Sequence, residues 1–408
     1  MLDSPSFAGG MDIVTPYPDT KASVVREALN MQVSRDGDLV TRPTPEQLIA
    51  VGALSICGFG GEIHVATADG WHAFDPASPT STYRCIVSLS IHTAFYLTIT
   101  DDLIVLASNA GIWQLQASTR LITRLDLPRP VPPIAVPYPT GYLTSGLYKL
   151  AVSEMVDGTE GPLSWVSEVF LSRGDTHGIE VRTTPGHKYR VYMSHPDGAT
   201  LYYVGVSEGG LVVSELLETS FAAPCEYEDP LPVGSCMAYF GGCLWSAVGN
   251  VVYKSQPFRL GVTDSVKGFF QLPSRVKGLQ AINDTLVVGT AGGTYVLEGY
   301  VLEEAKLSQV DDAPVVAGSL AMVPGSMLRP GYKDAVDGPY ALWLTGRGHV
   351  VYSPSTGVKP ITGQKLSLLT PRHGLTAVFS YGGTDYAATF CSAQAEYQPQ
   401  CAVIKPGV

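Results

Sequence analysis

The sequence predicts an all-β protein, a β-propeller of about six blades carrying one inserted small β-sandwich module and one short N-terminal helix. Three observations lead there. The chain of 408 residues is 45% apolar but only 15% charged, well under the usual quarter or so. It holds 43 Gly, 30 Pro and 21 Tyr, a mixture that suits short strands joined by tight turns better than solvated helices. Finally, one phrase recurs: an apolar strand, a turn rich in Gly, Asn or Asp, then a second strand holding an aromatic residue.

The copies of that phrase run over 62–74, 102–115, 242–253, 284–297 and 340–352, with a degenerate sixth over 375–390. Most starts lie about 35 to 56 residues apart, the period of a four-stranded propeller blade. A single hairpin cannot bury its faces, whereas blades set radially cover one another. Trp71, Trp113, Trp245, Trp343 and Tyr295 are expected at equivalent blade positions, and core packing between blades accounts for them better than a sugar-binding platform does.

Only one stretch reads as helix. Asp19 or Thr20 can cap it, and Ala22, Val25, Ala28 and Leu29 follow at helical spacing. After it, 31–40 reads as strand, turn and strand, with Asp36-Gly37 supplying the turn. The long interval between 102 and 242 opens on a stiff linker at Pro128–Pro133. Alternating strands then follow near 148–155, 166–171, 189–194 and 201–206, with turns at Asp157-Gly158 and Pro196-Asp197-Gly198. These define the inserted sandwich, with Trp165 expected in its core. The organisation expected is a segment 1–45 with the helix, a first propeller part 46–141, the sandwich 142–222 and a second propeller part 223–408.

Charge and motifs narrow the function. With 26 Lys plus Arg against 37 Asp plus Glu, the net charge is −11, and no basic run is present to hold phosphate or an anionic bilayer. The start carries no signal-peptide pattern, and no apolar run is long enough to span a membrane. The seven cysteines are scattered and form no CxxC, which suits buried free thiols. The alternative is a late bridge, such as Cys391–Cys401 or Cys236–Cys243.

No catalytic motif stands out, and no catalytic, cofactor or metal residue is assigned. The Ser34–Asp38 stretch lacks the spacing and the Trp of a sialidase turn, and reads as a plain hairpin. The acidic groups Glu226/Glu228/Asp229, Glu303/Glu304 and Asp311/Asp312 read as solvated faces or subunit contacts. They do not read as the paired carboxylates of a glycosidase. His64 and His72 could face each other across a hairpin, and His177, His187 and His195 recur in the insert. Neither set makes a metal motif.

The order of the pieces carries a resemblance. Gly9, Gly10 and Met11, through Pro18 to Ala28, Leu29 and Asn30, then Asp36–Leu39 and Thr41-Arg42-Pro43 resemble the start of tailed-bacteriophage tail proteins. The stretch Gly158–Ser164 followed by Tyr189–Ser194 resembles the fibronectin-III-like insert of the same proteins. The group named by this order is the tail nozzle, or tail tubular protein B, and related tail-tip propellers. The resemblance implies a non-catalytic virion component in the phage tail, assembled in the host cytoplasm. It would form a ring with copies of itself, six favoured, and with neighbouring tail proteins, DNA being passing cargo only. The alternatives are a propeller lectin or receptor-binding tip and, behind it, a carbohydrate-active enzyme.

Overall fold

A computed structural model describes residues 53–75, 84–172, 178–216, 221–223, 227–328, 335–361, 371, 373–381 and 384–392, with two short strands nearer the start. The expected N-terminal helix lies outside the described residues. The two short strands, β1 (Met31–Val33) and β2 (Leu39–Thr41), pair antiparallel with Val33 opposite Leu39. This is the hairpin expected around Asp36-Gly37.

Six antiparallel sheets follow the blade pattern. The first holds β3 (Ala53–Phe59), β4 (Glu62–Thr67), β5 (Gly70–Phe74) and β6 (Arg84–Ser88). The second holds β7 (Ala94–Thr100), β8 (Leu103–Ser108), β9 (Gly111–Gln116) and β10 (Leu121–Arg124). The chain then builds the inserted module with β11 (Ile134–Tyr138), β12 (Gly146–Val156), β13 (Thr159–Leu163) and β14 (Ser167–Leu171), then β15 (Gly178–Arg182), β16 (Lys188–Ser194), β17 (Leu201–Ser207) and β18 (Gly210–Val213). It returns through β19 (Glu228–Pro230) to a third blade of β20 (Cys236–Phe240), β21 (Cys243–Val248), β22 (Val251–Gln256), β23 (Arg259–Asp264) and β24 (Phe269–Gln271). The fourth blade is β25 (Val276–Ile282), β26 (Thr285–Thr290), β27 (Gly293–Glu298) and β28 (Lys306–Asp311). The fifth is β29 (Ala321–Pro324), a one-turn helix α1 (Gly325–Leu328), β30 (Pro339–Thr345), β31 (Gly348–Ser353) and β32 (Gly357–Pro360). The sixth shows β33 (His373–Tyr381) and β34 (Thr384–Ser392).

The first strands of the blades pack in sequence, β3 on β7, β7 on β20, β20 on β25, β25 on β29 and β29 on β33. All six blades line one axial cavity of about 750 Å³, from Leu54 on β3 to Leu375 on β33. The molecule is therefore a propeller, with six blades among the described residues.

The apolar runs follow from this arrangement. A strand covered on both faces needs no polar alternation, and its odd and even residues serve different neighbours. Ile104 and Leu106 pack with Trp71 of the first blade, while Val105 and Ala107 pack with Leu231 and Leu244 toward the third. In the fourth blade Leu286 and Val288 join Trp245, and Val287 joins Trp343. Trp71, Trp245 and Trp343 are wholly buried, as inter-blade packing requires. They do not occupy equivalent places, however. Trp71, Trp113 and Tyr295 lie on third strands, Trp245 and Trp343 on second strands. The recurring phrase is the second and third strands of the first five blades. In the sixth it is the first and second, because β33 itself lines the axis.

Four of the blade turns share one chemistry. Thr67, Ser108, Thr290 and Thr345 end second strands, and the glycine three residues on opens the third strand in each case. Each hydroxyl is buried and donates to that glycine's carbonyl, at 3.3, 3.1, 2.7 and 3.0 Å. The glycines have φ of 147°, 131°, 140° and 103°, a region side chains avoid. A Cβ on Gly70 would lie 2.2 Å from the Val87 carbonyl oxygen.

The insert is a sandwich. One sheet orders β11-β15-β18; the other orders β13-β12-β16-β17, with β14 pairing the first half of β12. Tyr148, Leu150, Val152 and Val191 from the larger sheet meet Ile179, Val181 and Val213 from the smaller. The module begins at β11, earlier than the expected 142, because the proline linker Pro128–Pro133 runs straight into a strand that pairs β15.

Candidate functional site

The strands that join sandwich to propeller hold a cluster of charged side chains tied by many hydrogen bonds. Blade strand β22 divides its pairing: Val251–Tyr253 pair with β24, and Ser255 and Gln256 pair with β23. Strand β23 then pairs with β19, and both pack against β13 of the sandwich. Glu228, on β19, is completely buried between the two units.

Its carboxylate is surrounded by donors. Arg259, at the start of β23, makes an ion pair with Oε1, and its Nη2 lies 3.0 Å from Oε2. The backbone N–H of Leu163 in the sandwich donates to Oε2 at 3.1 Å. Arg259 Nη2 also donates to the Gly161 carbonyl at 2.6 Å. Arg129, from the proline linker, donates to the carbonyls of Leu163 (2.7 Å) and Glu228, and to Asp229 Oδ1 at 2.8 Å. Trp165 lies over the Arg129 guanidinium at 4.2 Å. Burial of Glu228 pushes its carboxyl pKa up, opposed by the Arg259 guanidinium. An unpaired carboxylate could not remain ionised at such a place.

A second carboxylate stands in the adjoining cavity of about 440 Å³, between the second blade, the β12–β13 turn and β23. Glu160 accepts from Ser153 Oγ and Tyr192 Oη, each at 2.6 Å, and from Arg190 Nη1 at 2.8 Å. Burial, reinforced by this carboxylate, raises the Tyr192 phenol pKa. Each carboxylate thus accepts three hydrogen bonds from donors fixed in the fold. The cluster fixes geometry.

The sequence placed some of these residues elsewhere. Glu228 was expected on a solvated face or at a subunit contact; its environment is the interior of an intramolecular seam. Glu226 lies outside the described residues. Glu303 and Glu304 are exposed in the β27–β28 turn, and Asp312 makes a surface pair with Arg347 at 3.1 Å. Trp165 is not in the sandwich core but 62% exposed, because Tyr148 and the aliphatic residues already fill the space between sheets. His64 and His72 do not face each other, since the β4–β5 register sets His64 against Ala73 and Val65 against His72. His64 Nδ1 instead accepts from Trp71 Nε1 at 3.1 Å. His187 pairs with Glu154 at 2.6 Å, His195 packs on Tyr202, and His177 lies outside the described residues. Among the described residues no group of three His, Cys, Asp or Glu side chains could hold a metal. Cys236 and Cys243 are free thiols at opposite ends of the β20–β21 hairpin.

Arg129, Arg259 and Glu160 escaped the sequence reading. The signal for Arg129 was present: an arginine fixed between two prolines, in a chain with few charges. Phe258 was missed too; it is 96% exposed and holds φ of 61° at the β22–β23 turn.

No known protein-family model matches the chain, and no curated protein matches it. Among solved structures it is similar to the Neurospora crassa Pan2 WD40 domain, at 13% identity and a TM-score of 0.30, covering 74% of this chain and 76% of that one. The Saccharomyces cerevisiae protein Sqt1 is similar at 10% identity and a TM-score of 0.29, covering 81% and 78%. The N-terminal domain of Nup159 is similar at 10% identity and a TM-score of 0.32, covering 83% and 73%.

Proposed function

We propose that the chain is a structural subunit of a larger assembly, a bacteriophage tail nozzle or tail-tip component that performs no covalent chemistry. The observation that carries this reading is the seam. Its carboxylates are neutralised in place, and it ties the sandwich to a blade through Arg129, Glu228 and Arg259. Such a seam makes one stiff body of two modules, as a wall element needs. Apolar side chains stand out beside it, Trp165 and Phe258 foremost, and exposed apolar groups of this size serve contacts between proteins. The order of sequence motifs supplies the phage tail as the setting.

In this reading copies of the chain form a ring, six favoured, and meet neighbouring tail proteins through the sandwich. The axis of each propeller is reduced to a cavity of about 750 Å³, so a DNA path runs between subunits and not through one. The net charge of −11 keeps DNA from adhering to such a wall.

The test is the native mass of the purified chain, alone and mixed with the other structural proteins encoded beside it. A discrete ring, or a monomer that enters a ring with a neighbour, supports the proposal. A monomer indifferent to every neighbour, yet retained on a host-glycan column, overturns it in favour of a lectin.

A further inference from the structure

The axial cavity carries a separate assignment. Its lining comes from the beginnings of the first strands: Leu54 and Ser55, Ala94–Leu97, Ser235–Met237, Arg275–Gln280, and His373–Leu375, with Ala317, Gly318 and Leu320 just before β29. Because these are all strand starts, the cavity lies toward one end of the axis.

Its charge is opposite to that of the molecule. Asp and Glu outnumber Lys and Arg by 37 to 26 in the chain, yet among the described residues the lining holds Arg275, Lys277 and His373 and no carboxylate. Arg275 is exposed and Lys277 half-buried, and neither side chain makes an ion pair or hydrogen bond with a described residue. Elsewhere the described arginines are mostly matched, as Arg84 with Glu62, Arg190 with Glu160 and Arg259 with Glu228 show. Two unmatched cations lining one concave site raise its potential and attract anions.

The rest of the lining says what kind of anion. Phe95, Met237, Leu279 and Leu320 interleave with the cations, giving apolar places that an inorganic ion would not use. Strands β3, β7, β20, β25 and β29 are each the edge of their sheet, so their outer backbone groups can pair with another backbone, whereas the start of β33 already bridges to Ala317. A volume of about 750 Å³ lies within the usual range for ligand sites.

We propose that this cavity is a binding site for a short acidic peptide segment of a protein partner. Its carboxylates pair with Arg275 and Lys277, and its apolar side chains enter between the blades. The inference does not depend on the chain being a tail protein.

The experiment uses the full chain and a blocked, fluorescently labelled hexapeptide alternating glutamate and leucine, followed by anisotropy. Two competitors are run beside it: the same peptide with glutamine for glutamate, and inorganic phosphate. The glutamate peptide should bind at least about tenfold more tightly than the glutamine peptide, and more weakly as salt is raised. The R275E/K277E variant should lose that preference without a change in thermal midpoint, R275Q/K277Q should lose part of it, and F258S, outside the cavity, should retain it. Equal binding of the two peptides, unchanged binding by R275E/K277E, or displacement by phosphate as effective as by unlabelled peptide would each overturn the assignment.

Discussion

Arg259 joins two units with one side chain: its Nη2 lies 3.0 Å from the buried Glu228 carboxylate and 2.6 Å from the Gly161 carbonyl of the sandwich. The guanidinium fork suits this task, since its donors are fixed in a plane and can serve a carboxylate and a carbonyl together.

Removing one partner of this pair should cost far more than removing both. Glu228→Ala leaves Arg259 beside an apolar gap and should destabilise the chain by about 3–5 kcal/mol. A Glu228→Leu/Arg259→Met double variant should recover a large part of that loss. Denaturant midpoints of the two variants decide the matter; equal losses would show that the pair does not hold the seam.

A pH dependence follows from His64. Burial lowers its pKa from the ordinary value of about 6.5, and its Nδ1 must stay unprotonated to accept from Trp71. A lowered folded-state value means that the unfolded chain binds the proton first, so stability is lost as pH falls below about 6.5. His349, also lowered by burial, acts in the same direction. Thermal midpoints taken downward from neutral pH should fall, and His64→Gln should flatten part of that slope. An identical slope in the variant would exclude His64 as the cause.

The hydroxyl turns should be sensitive to an isosteric change. Thr345→Val keeps the volume but removes the donor to the Gly348 carbonyl and the acceptor for the Arg347 N–H, at 3.0 and 3.1 Å. A loss of about 1–3 kcal/mol is expected for stranding buried polar groups, read by denaturant unfolding. The same change at exposed Thr119 should stay within about 0.5 kcal/mol.

Exposed residues at the seam should separate folding from assembly. Trp165→Ala forfeits one ring–guanidinium contact, about 0.5–1 kcal/mol, and Phe258→Ser removes an exposed ring while keeping the Cβ that the positive φ already carries. Both variants should keep their thermal midpoints within a few degrees, and on the proposed ring they should weaken assembly measured by native mass. Normal assembly by both would place the subunit contact elsewhere.

What the sequence disclosed, and what it hid, divides along one physical line. Strands buried on both faces announce themselves as continuous apolar runs, so 103–107 and 285–289 marked their blades without ambiguity. The turn chemistry was equally legible in principle, because Thr67, Ser108, Thr290 and Thr345 each precede their glycine by three residues. The seam was not. Glu228 and Arg259 are 31 residues apart and Arg259 and Gly161 are 98 apart, and no local pattern tells a buried carboxylate from a solvated one. Trp165 misled for the same reason: its exposure depends on Arg129 arriving from the linker, not on its neighbours in the chain. The axial cations were hidden because Arg275 and Lys277 become a site only when six strand starts converge.

The insert leaves the propeller after the second blade and rejoins it at the third, while β7 still packs directly on β20. A tug on the sandwich is therefore not borne by a single covalent thread. It is shared with the lateral bonds of Arg129 and Arg259 to Leu163, Glu228 and Gly161. The wheel can be loaded at its rim without its hub being drawn apart.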